Sequence, residues 1–249
     1  MGQDIAAKAR RNLEKGERWH KKTNVREIVF GFNDGSVSTL ALLAGVTGGA
    51  LSQGNIIAAG LSGVIAGAIS MGIGAYISSK SEIEHYQSEI KKEEQEIEQV
   101  PEIEKEEARQ IYQKKAAFTD NEVDMIVNRI ASDKKTLLDT MKKEELGLFE
   151  ERFEQPVKVG VIMFAAFVAG GIIPVTPFLL IQQSISSLIV SIALTFTSLF
   201  IIGVWKTTLT GRNWLTSGLE MVGIGSLATV IPYIIGDILL TQILTNIVK

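Results

Sequence analysis

The sequence has no cysteine among its 249 residues and only two histidines. Without thiols the chain forms neither a disulfide framework nor a thiolate metal site, so any metal must be held by oxygen, imidazole or thioether ligands. The chain also lacks a Walker sequence and a glycine-rich phosphate loop that follows a strand. These absences argue against a nucleotide-hydrolysing enzyme, and we expect a protein that is not an enzyme.

The charged residues are unevenly distributed along the chain. Residues 80–155 contain 21 of the 28 acids and 13 bases, a formal charge of −8, whereas the remaining chain is formally +5. Basic residues that flank apolar runs are typical of membrane-orientation signals. We therefore expect membrane lipid as a partner and no nucleic acid.

Five apolar runs are long enough to cross a hydrocarbon core about 30 Å thick, which takes about 20 helical residues. They cover residues 28–50, 55–79, 157–181, 184–205 and 217–244. The sequence thus predicts an all-α membrane protein with five transmembrane helices and a helical domain inserted between spans 2 and 3. We divide the chain into a basic N-terminal segment (1–27), spans 1 and 2 (28–79), an acidic metal-binding domain (80–156) and spans 3 to 5 (157–249).

Basic residues in the connectors predict the orientation of these spans. The first 26 residues carry eight Lys or Arg, and Lys206 and Arg212 follow the fourth span, whereas the turns near 51–54 and 182–183 carry none. The positive-inside rule then places the N-terminus and the acidic domain in the cytoplasm.

Glutamates are concentrated in the first part of the acidic domain, with eleven between Glu82 and Glu107. Glu93, Glu96, Glu104 and Glu107 follow the pattern E-x2-E-x7-E-x2-E, which places them on one stripe of a helix about 80° wide. Carboxylates on one face raise each other's pKa, and a divalent cation removes that cost by neutralising and coordinating them. A plain solvated face rich in Glu and Lys has the same periodicity, so both interpretations stay open.

Three helices are predicted in the acidic domain. The first runs from 79 to about 117 with a kink at Pro101, and the second begins at the capping box formed by Thr119 and Glu122. The third runs from about 133 to 146 and ends at Gly147.

The third of these helices carries a second group of candidate ligands. Met141, Glu144 and Glu145 lie at positions i, i+3 and i+4, so one face offers a thioether together with carboxylates. A thioether is a poor ligand for Mg²⁺ or Ca²⁺ and a tolerable one for Fe²⁺.

An acid inside the first span is the main anomaly of the apolar sequence. Asp34 lies about 9 Å below the predicted cytoplasmic edge, and Met71 of the second span lies about 12 Å from the same edge. An ionisable side chain at that depth costs at least ~2.5 kcal/mol and usually marks a path for ions or protons. We place Asp34, Asn33 and Met71 on a candidate transport path. The alternative is an acid that is hydrogen-bonded to the hydroxyls of Ser36 and Ser38.

Glycines at GxxxG spacing occur in the first two spans. The pairs are Gly31 with Gly35 and Gly63 with Gly67. This spacing predicts close contact between helices and is weak evidence for a dimer.

Four stretches resemble the vacuolar iron transporter family: REIVFGFNDGSVSTLALLAGVTGG, AGAISMGIGAYISSKSEIE, EEQEIEQVPEIEKEEARQIY and MKKEELGL. The resemblance covers nearly the whole chain. It implies a homodimeric, H⁺-coupled exporter of Fe²⁺ from the cytosol, whose cytoplasmic metal-binding domain feeds a path at the dimer interface. By this resemblance Asp34 and Met71 belong to the path. The implied residues of the metal-binding domain are Glu93, Glu96, Glu104, Glu107, Met141 and Glu145.

Two positions depart from the family pattern. Ala75 stands where many relatives have an intramembrane glutamate, and Lys142 stands where plant relatives have a second methionine. These departures bear on proton coupling and metal preference. The expected substrate is Fe²⁺, with Mn²⁺, Zn²⁺ or Co²⁺ as further candidates, in the cell membrane of a prokaryote or the vacuolar membrane of a eukaryote.

Three alternatives to iron export stay open on the sequence. One is a carrier of Mn²⁺ or of divalent cations in general. Another is a membrane-anchored metal sensor or scaffold, which would not need an acid inside the bilayer. The third is a membrane ferroxidase that uses the carboxylates, which oxygen consumption on addition of Fe²⁺ would reveal.

Overall fold

The computed structural model describes residues 24–49, 51–147 and 155–238, and every regular element in these residues is an α-helix. The helices are α1 (Val25–Gly48), α2 (Gln53–Gln99), α3 (Pro101–Lys115), α4 (Asp120–Ala131), α5 (Lys134–Glu144), α6 (Pro156–Leu180), α7 (Ser184–Thr210) and α8 (Trp214–Asp237). They divide into two compact units, which we call the apolar unit (residues 1–76 and 156–249) and the acidic unit (residues 77–155).

Four of the described helices are long and apolar enough to cross a membrane, namely α1, α2, α6 and α7. The prediction of several membrane-spanning helices is therefore confirmed. The predicted fifth span, residues 217–244, coincides with α8 but extends past residue 238, the last one described. The count of five spans accordingly stays a prediction, and most of the basic N-terminal segment lies outside the described residues.

Backbone contact between α1 and α6 organises the apolar unit. A Cβ atom at Gly35 would lie 2.1 Å from the carbonyl oxygen of Phe167, and one at Gly170 would lie 2.2 Å from that of Phe32. No side chain fits at such distances, so glycine is required at both positions. The predicted close contact at Gly35 is confirmed, and its partner is α6 of the same chain.

The second predicted glycine pair also packs within the chain. A Cβ at Gly67 would lie 2.3 Å from the ring of Phe167, and one at Gly63 would lie 2.6 Å from the side chain of Leu42. The GxxxG spacing is thus explained by packing inside one subunit. It carries no further information about a dimer.

The apolar unit has a buried core and an apolar exterior. Its core cluster consists of Leu40, Leu43, Ala44, Ile56, Val64, Val175, Phe178 and Leu188. Side chains on the outer faces are also large and apolar, among them Ile65, Ile73 and Ile189, each more than half exposed. A surface of this kind suits contact with lipid.

The acidic unit has a separate core where the end of α2 meets α3, α4 and α5. The buried residues of this core are Ile97, Ala108, Val123, Val127, Leu137 and Met141. The capping box predicted at Thr119 and Glu122 is confirmed, with the Thr119 N–H 2.8 Å from Glu122 Oε2. Asp133 caps α5 by accepting a hydrogen bond of 3.0 Å from the backbone N–H of Thr136.

The predicted first helix of the acidic domain is wrong in one respect. The structure has two helices there, because α2 ends at Gln99 and α3 begins at Pro101. Val100 between them is not helical, with φ −136° and ψ 52°. Proline has no N–H to continue the helical ladder and is favoured at the first position of a new helix. The expected kink at Pro101 is therefore a complete break.

Candidate metal centre and transmembrane acid

Three carboxylates from three parts of the acidic unit converge. Glu93 lies on α2, Glu104 lies on α3, and Glu145 directly follows the last residue of α5. One oxygen from each side chain lies within 4.8 Å of the others. Oxygen ligands bind divalent cations at about 2.0–2.6 Å, so three oxygens at this spacing can hold one ion between them. We call these residues the glutamate triad.

The core of the acidic unit orients the glutamate triad. Each member lies four residues from a buried core residue. Side chains at positions i and i+4 of a helix lie on the same face, so each glutamate lies beside its core partner. The core partners are Ile97 for Glu93, Ala108 for Glu104 and Met141 for Glu145. Packing of the core therefore brings the three carboxylates together at one edge.

The break at Pro101 is what allows Glu93 and Glu104 to meet. On one continuous helix, eleven residues would separate their Cα atoms by about 16 Å. In the structure their carboxylate oxygens lie within 4.8 Å. Glu93 and Glu104 were predicted to share a stripe on one helix, whereas the structure brings them together from two helices that meet at the break.

Burial leaves one carboxylate oxygen unpartnered, among the described residues, on each of two triad members. The side chains of Glu93 and Glu104 belong to residues that are each 3% exposed. Within the described part of the chain, Glu93 Oε1 and Glu104 Oε2 have no hydrogen-bond partner. A buried, unpaired carboxylate is costly, and proteins relieve the cost with a counter-charge or a proton. The site is therefore suited to a bound cation.

The pKa values of the triad reflect the same cost of burying charged carboxylates. Burial, the charge of Glu145 and a hydrogen bond to Glu104 together raise the pKa of Glu93 to about 8, with burial the largest cause. Burial is also the main cause that raises the pKa of Glu104 and of Glu145. The hydrogen bond between Glu93 and Glu104 raises the pKa of Glu93 and acts to lower that of Glu104, which favours a proton on Glu93 when no metal is bound.

The other two members of the predicted stripe surround the triad. The charge of Glu96 raises the pKa of all three triad members, and the charge of Glu107 raises that of Glu104 and Glu145. Both residues are half-buried. Glu96 also lies 3.8 Å from the ammonium of Lys92, at the edge of the site.

The predicted residues near the end of α5 have different surroundings from one another. Met141 is fully buried in the core and precedes Glu145 by four residues, about one helical turn. Glu144 forms an ion pair with Lys115 and is not part of the triad. The ammonium of Lys142 lies 3.7 Å from the carboxylate of Asp139.

In the apolar unit, Asn33, Asp34 and Met71 are all half-buried. The hydroxyl of Ser38 donates to the main-chain carbonyl of Asp34 at 2.5 Å, and Ser36 Oγ has no partner among the described residues. The alternative in which both hydroxyls bond the Asp34 carboxylate is therefore not the observed arrangement. Asn33 Oδ1 is buried and is likewise without a hydrogen bond within the residues described.

Sequence reasoning missed a second acid on α1. Glu27 lies in the first turn of α1 and is only 8% exposed. It precedes Asp34 by seven residues, which places it about 10 Å along the helix and within about 20° of the same face. The seven-residue spacing from Asp34 is the sequence signal that places Glu27 on the same helix face. Because Glu27 lies near the helix end, it resembles an ordinary acid at the membrane interface.

Comparison with known proteins agrees with this architecture. The profile described as VIT family matches residues 25–237. The chain is 35% identical over 214 residues to vacuolar iron transporter 1 of Arabidopsis thaliana, across 86% of this chain and 85% of that protein. It is 34% identical over 242 residues to the vacuolar iron transporter of Plasmodium falciparum, across 93% and 89% of the two chains. Together with the long apolar helices, these matches identify a membrane protein, and the chain belongs to the VIT family.

Proposed function

We propose that this protein exports ferrous iron from the cytosol across a membrane in exchange for protons, and that the glutamate triad captures the metal. The observation that carries the proposal is the convergence of three carboxylates, two of them buried with unpartnered oxygens in the described structure. Iron as the substrate is supported by the names of the relatives, which are vacuolar iron transporters.

The donor set of the triad bears on the choice of metal. Carboxylate oxygens suit Fe²⁺ and Mn²⁺, and a nearby thioether favours the softer ion. Met141 lies in the buried core one helical turn before Glu145 in the sequence, and we propose that its thioether contributes to the selectivity of the site. We propose Fe²⁺ as the principal substrate, with Mn²⁺, Zn²⁺ and Co²⁺ as weaker competitors.

The proposed path through the apolar unit runs along α1. Asp34 alternates between a proton and a metal ion, and Glu27 provides a second carboxylate two turns closer to the start of α1. Asn33 and Met71 supply an amide oxygen and a thioether beside them. Two acids in line on one helix face allow a cation to move stepwise with opposite movement of protons.

The proposal includes an orientation and an assembly. The N-terminus and the acidic unit face the cytoplasm, because the basic residues flank that side of the spans. Two copies form a homodimer, and the exposed apolar faces of the helices offer the surface for it. The membrane is that of the cell in a prokaryote and of the vacuole in a eukaryote.

Transport by purified protein in sealed vesicles tests the proposal. Fe²⁺ entry and lumenal pH are followed together with two fluorophores, and we expect Fe²⁺ to move one way while protons move the other. Replacement of the three triad glutamates by glutamine should slow entry most at low Fe²⁺ concentration. Metal binding without any Fe²⁺ flux would favour a membrane-anchored sensor instead.

A further inference from the structure

An ion pair links the ends of two helices of the acidic unit. Lys115, the last residue of α3, pairs with Glu144, the last residue of α5. The ammonium of Lys115 also lies 5.0 Å from the ring centroid of Tyr112. The two charged side chains are 39% and 30% exposed. A cation held by both a carboxylate and an aromatic ring is better fixed than one in an ordinary surface pair.

This pair connects two helices that supply the triad. Helix α3 carries Glu104, and Glu145 is the residue directly after Glu144. Glu145 lies past the end of α5, where its N–H bonds the carbonyl oxygen of Met141 at 2.9 Å. Helix ends lack part of their hydrogen bonds and fray, and α5 has only 11 residues.

Glu145 depends on such support more than the other two triad members. It is the exposed member of the triad, whereas Glu93 and Glu104 are buried. Burial in the core therefore holds two ligands in place but leaves the third to be held by the end of α5. Beyond the buried Met141, the ion pair of Glu144 with Lys115 joins the residue directly before Glu145 to a second helix.

We propose that the ion pair of Lys115 and Glu144 positions Glu145 for the metal, and that Glu144 acts through this pair and does not bind the ion. The inference rests on the proposed function of the triad as a metal site. It makes Lys115 a positioning residue. Through its charge alone, Lys115 would repel a divalent cation and weaken metal binding. As a positioning residue it should instead strengthen metal binding.

Metal binding to the full-length protein in detergent tests the direction of this effect. Titration with Mn²⁺, followed by its electron paramagnetic resonance signal, should show about five-fold weaker binding for Lys115→Gln. Glu144→Gln should give a similar loss, and Lys115→Arg should retain most of the affinity. The matched control is Lys114→Gln, which removes the same charge from the neighbouring exposed position and should leave binding unchanged or slightly tighter.

A charge swap separates positioning from direct coordination. The double variant Lys115→Glu with Glu144→Lys keeps the pair and the net charge, so we expect Mn²⁺ affinity within about two-fold of the original protein. If the swap binds as weakly as Glu144→Gln alone, Glu144 is a ligand and the inference is overturned. Equal or tighter binding by Lys115→Gln also overturns it. If the unmodified protein binds no Mn²⁺ that depends on the triad, the proposed function itself fails.

Discussion

Glu93 and Glu104 are eleven positions apart in the sequence, yet their carboxylate oxygens lie within 4.8 Å of each other. Burial, the charge of Glu145 and a hydrogen bond to Glu104 together raise the pKa of Glu93 to about 8, so a proton on this pair is favoured at neutral pH when no metal is bound. A divalent cation that enters the site must displace this proton. If the triad captures metal as proposed, binding at this site is therefore itself an exchange of a proton for a metal ion.

The stability of the metal-free acidic unit should fall as pH rises. The folded-state pKa of Glu93 lies above its ordinary value of 4.5, at about 8, so the folded protein binds more protons than the unfolded chain between these limits. Stability then decreases across this pH range, by an amount on the order of 3 kcal/mol. Hydrogen exchange of backbone amides in the acidic unit, corrected for intrinsic rates and measured in a chelator, should show this loss. Glu93→Gln should remove most of it, and a pH-independent unit would contradict the shifted pKa.

Substitutions within and outside the triad should have different effects on metal affinity. Glutamine at Glu93, Glu104 or Glu145 removes one ligand charge and should weaken Mn²⁺ binding at least about ten-fold, as measured by calorimetric titration. Glu94 and Glu98 provide matched controls, because they pair with Lys134 and are not members of the triad. Their glutamine variants should change affinity by less than about three-fold. Equal losses in both sets would indicate diffuse attraction of counter-ions.

The contact between α1 and α6 should not tolerate a methyl group. Gly35→Ala and Gly170→Ala would each place a Cβ about 2 Å from a backbone oxygen, and we expect a loss of about 3 kcal/mol or failure to fold. Thermal stability in detergent, read by size-exclusion chromatography, checks this. Gly74→Ala is the control, since its Cβ would meet nothing within 4 Å in the described structure. A melting temperature for Gly35→Ala equal to that of the control would refute the packing.

Single cysteines can report the orientation, because the chain has none of its own. Gln87 lies in the acidic unit, and Gln182 lies in the turn between α6 and α7. An impermeant maleimide should label Gln87→Cys and Gln182→Cys from opposite sides of sealed membranes. Labelling of both from one side would contradict the proposed topology.

Much of this architecture was accessible from local sequence signals. Long apolar runs predicted the helices that can cross a membrane, since chain length and hydropathy suffice for that purpose. Thr119 and Glu122 predicted a helix start through their own hydrogen bonds. Glu93 and Glu104 were predicted to lie in one group, and the structure brings their carboxylates together, while their role in metal binding stays a prediction.

The remaining features depend on contacts between distant segments. The helix breaks at Pro101, so Glu93 and Glu104 lie on two different helices. The periodicity of a single helix does not predict how two helices meet. Glu144 and Glu145 are neighbours with the same chemistry, and only the position of Lys115 distinguishes them. The burial of Glu27 likewise follows from packing around α1, and its own sequence neighbourhood gives little sign of it.

The most direct test of proton-coupled iron export is transport by Asp34→Asn protein in sealed vesicles. Asparagine keeps the size of the side chain but removes its titration, so Asp34 can no longer alternate between a proton and a metal ion. We predict a folded variant that still binds Mn²⁺ at the glutamate triad with unchanged affinity, while Fe²⁺ entry and the accompanying change in lumenal pH are both lost. Fe²⁺ transport against a proton gradient at the unmodified rate would contradict the account.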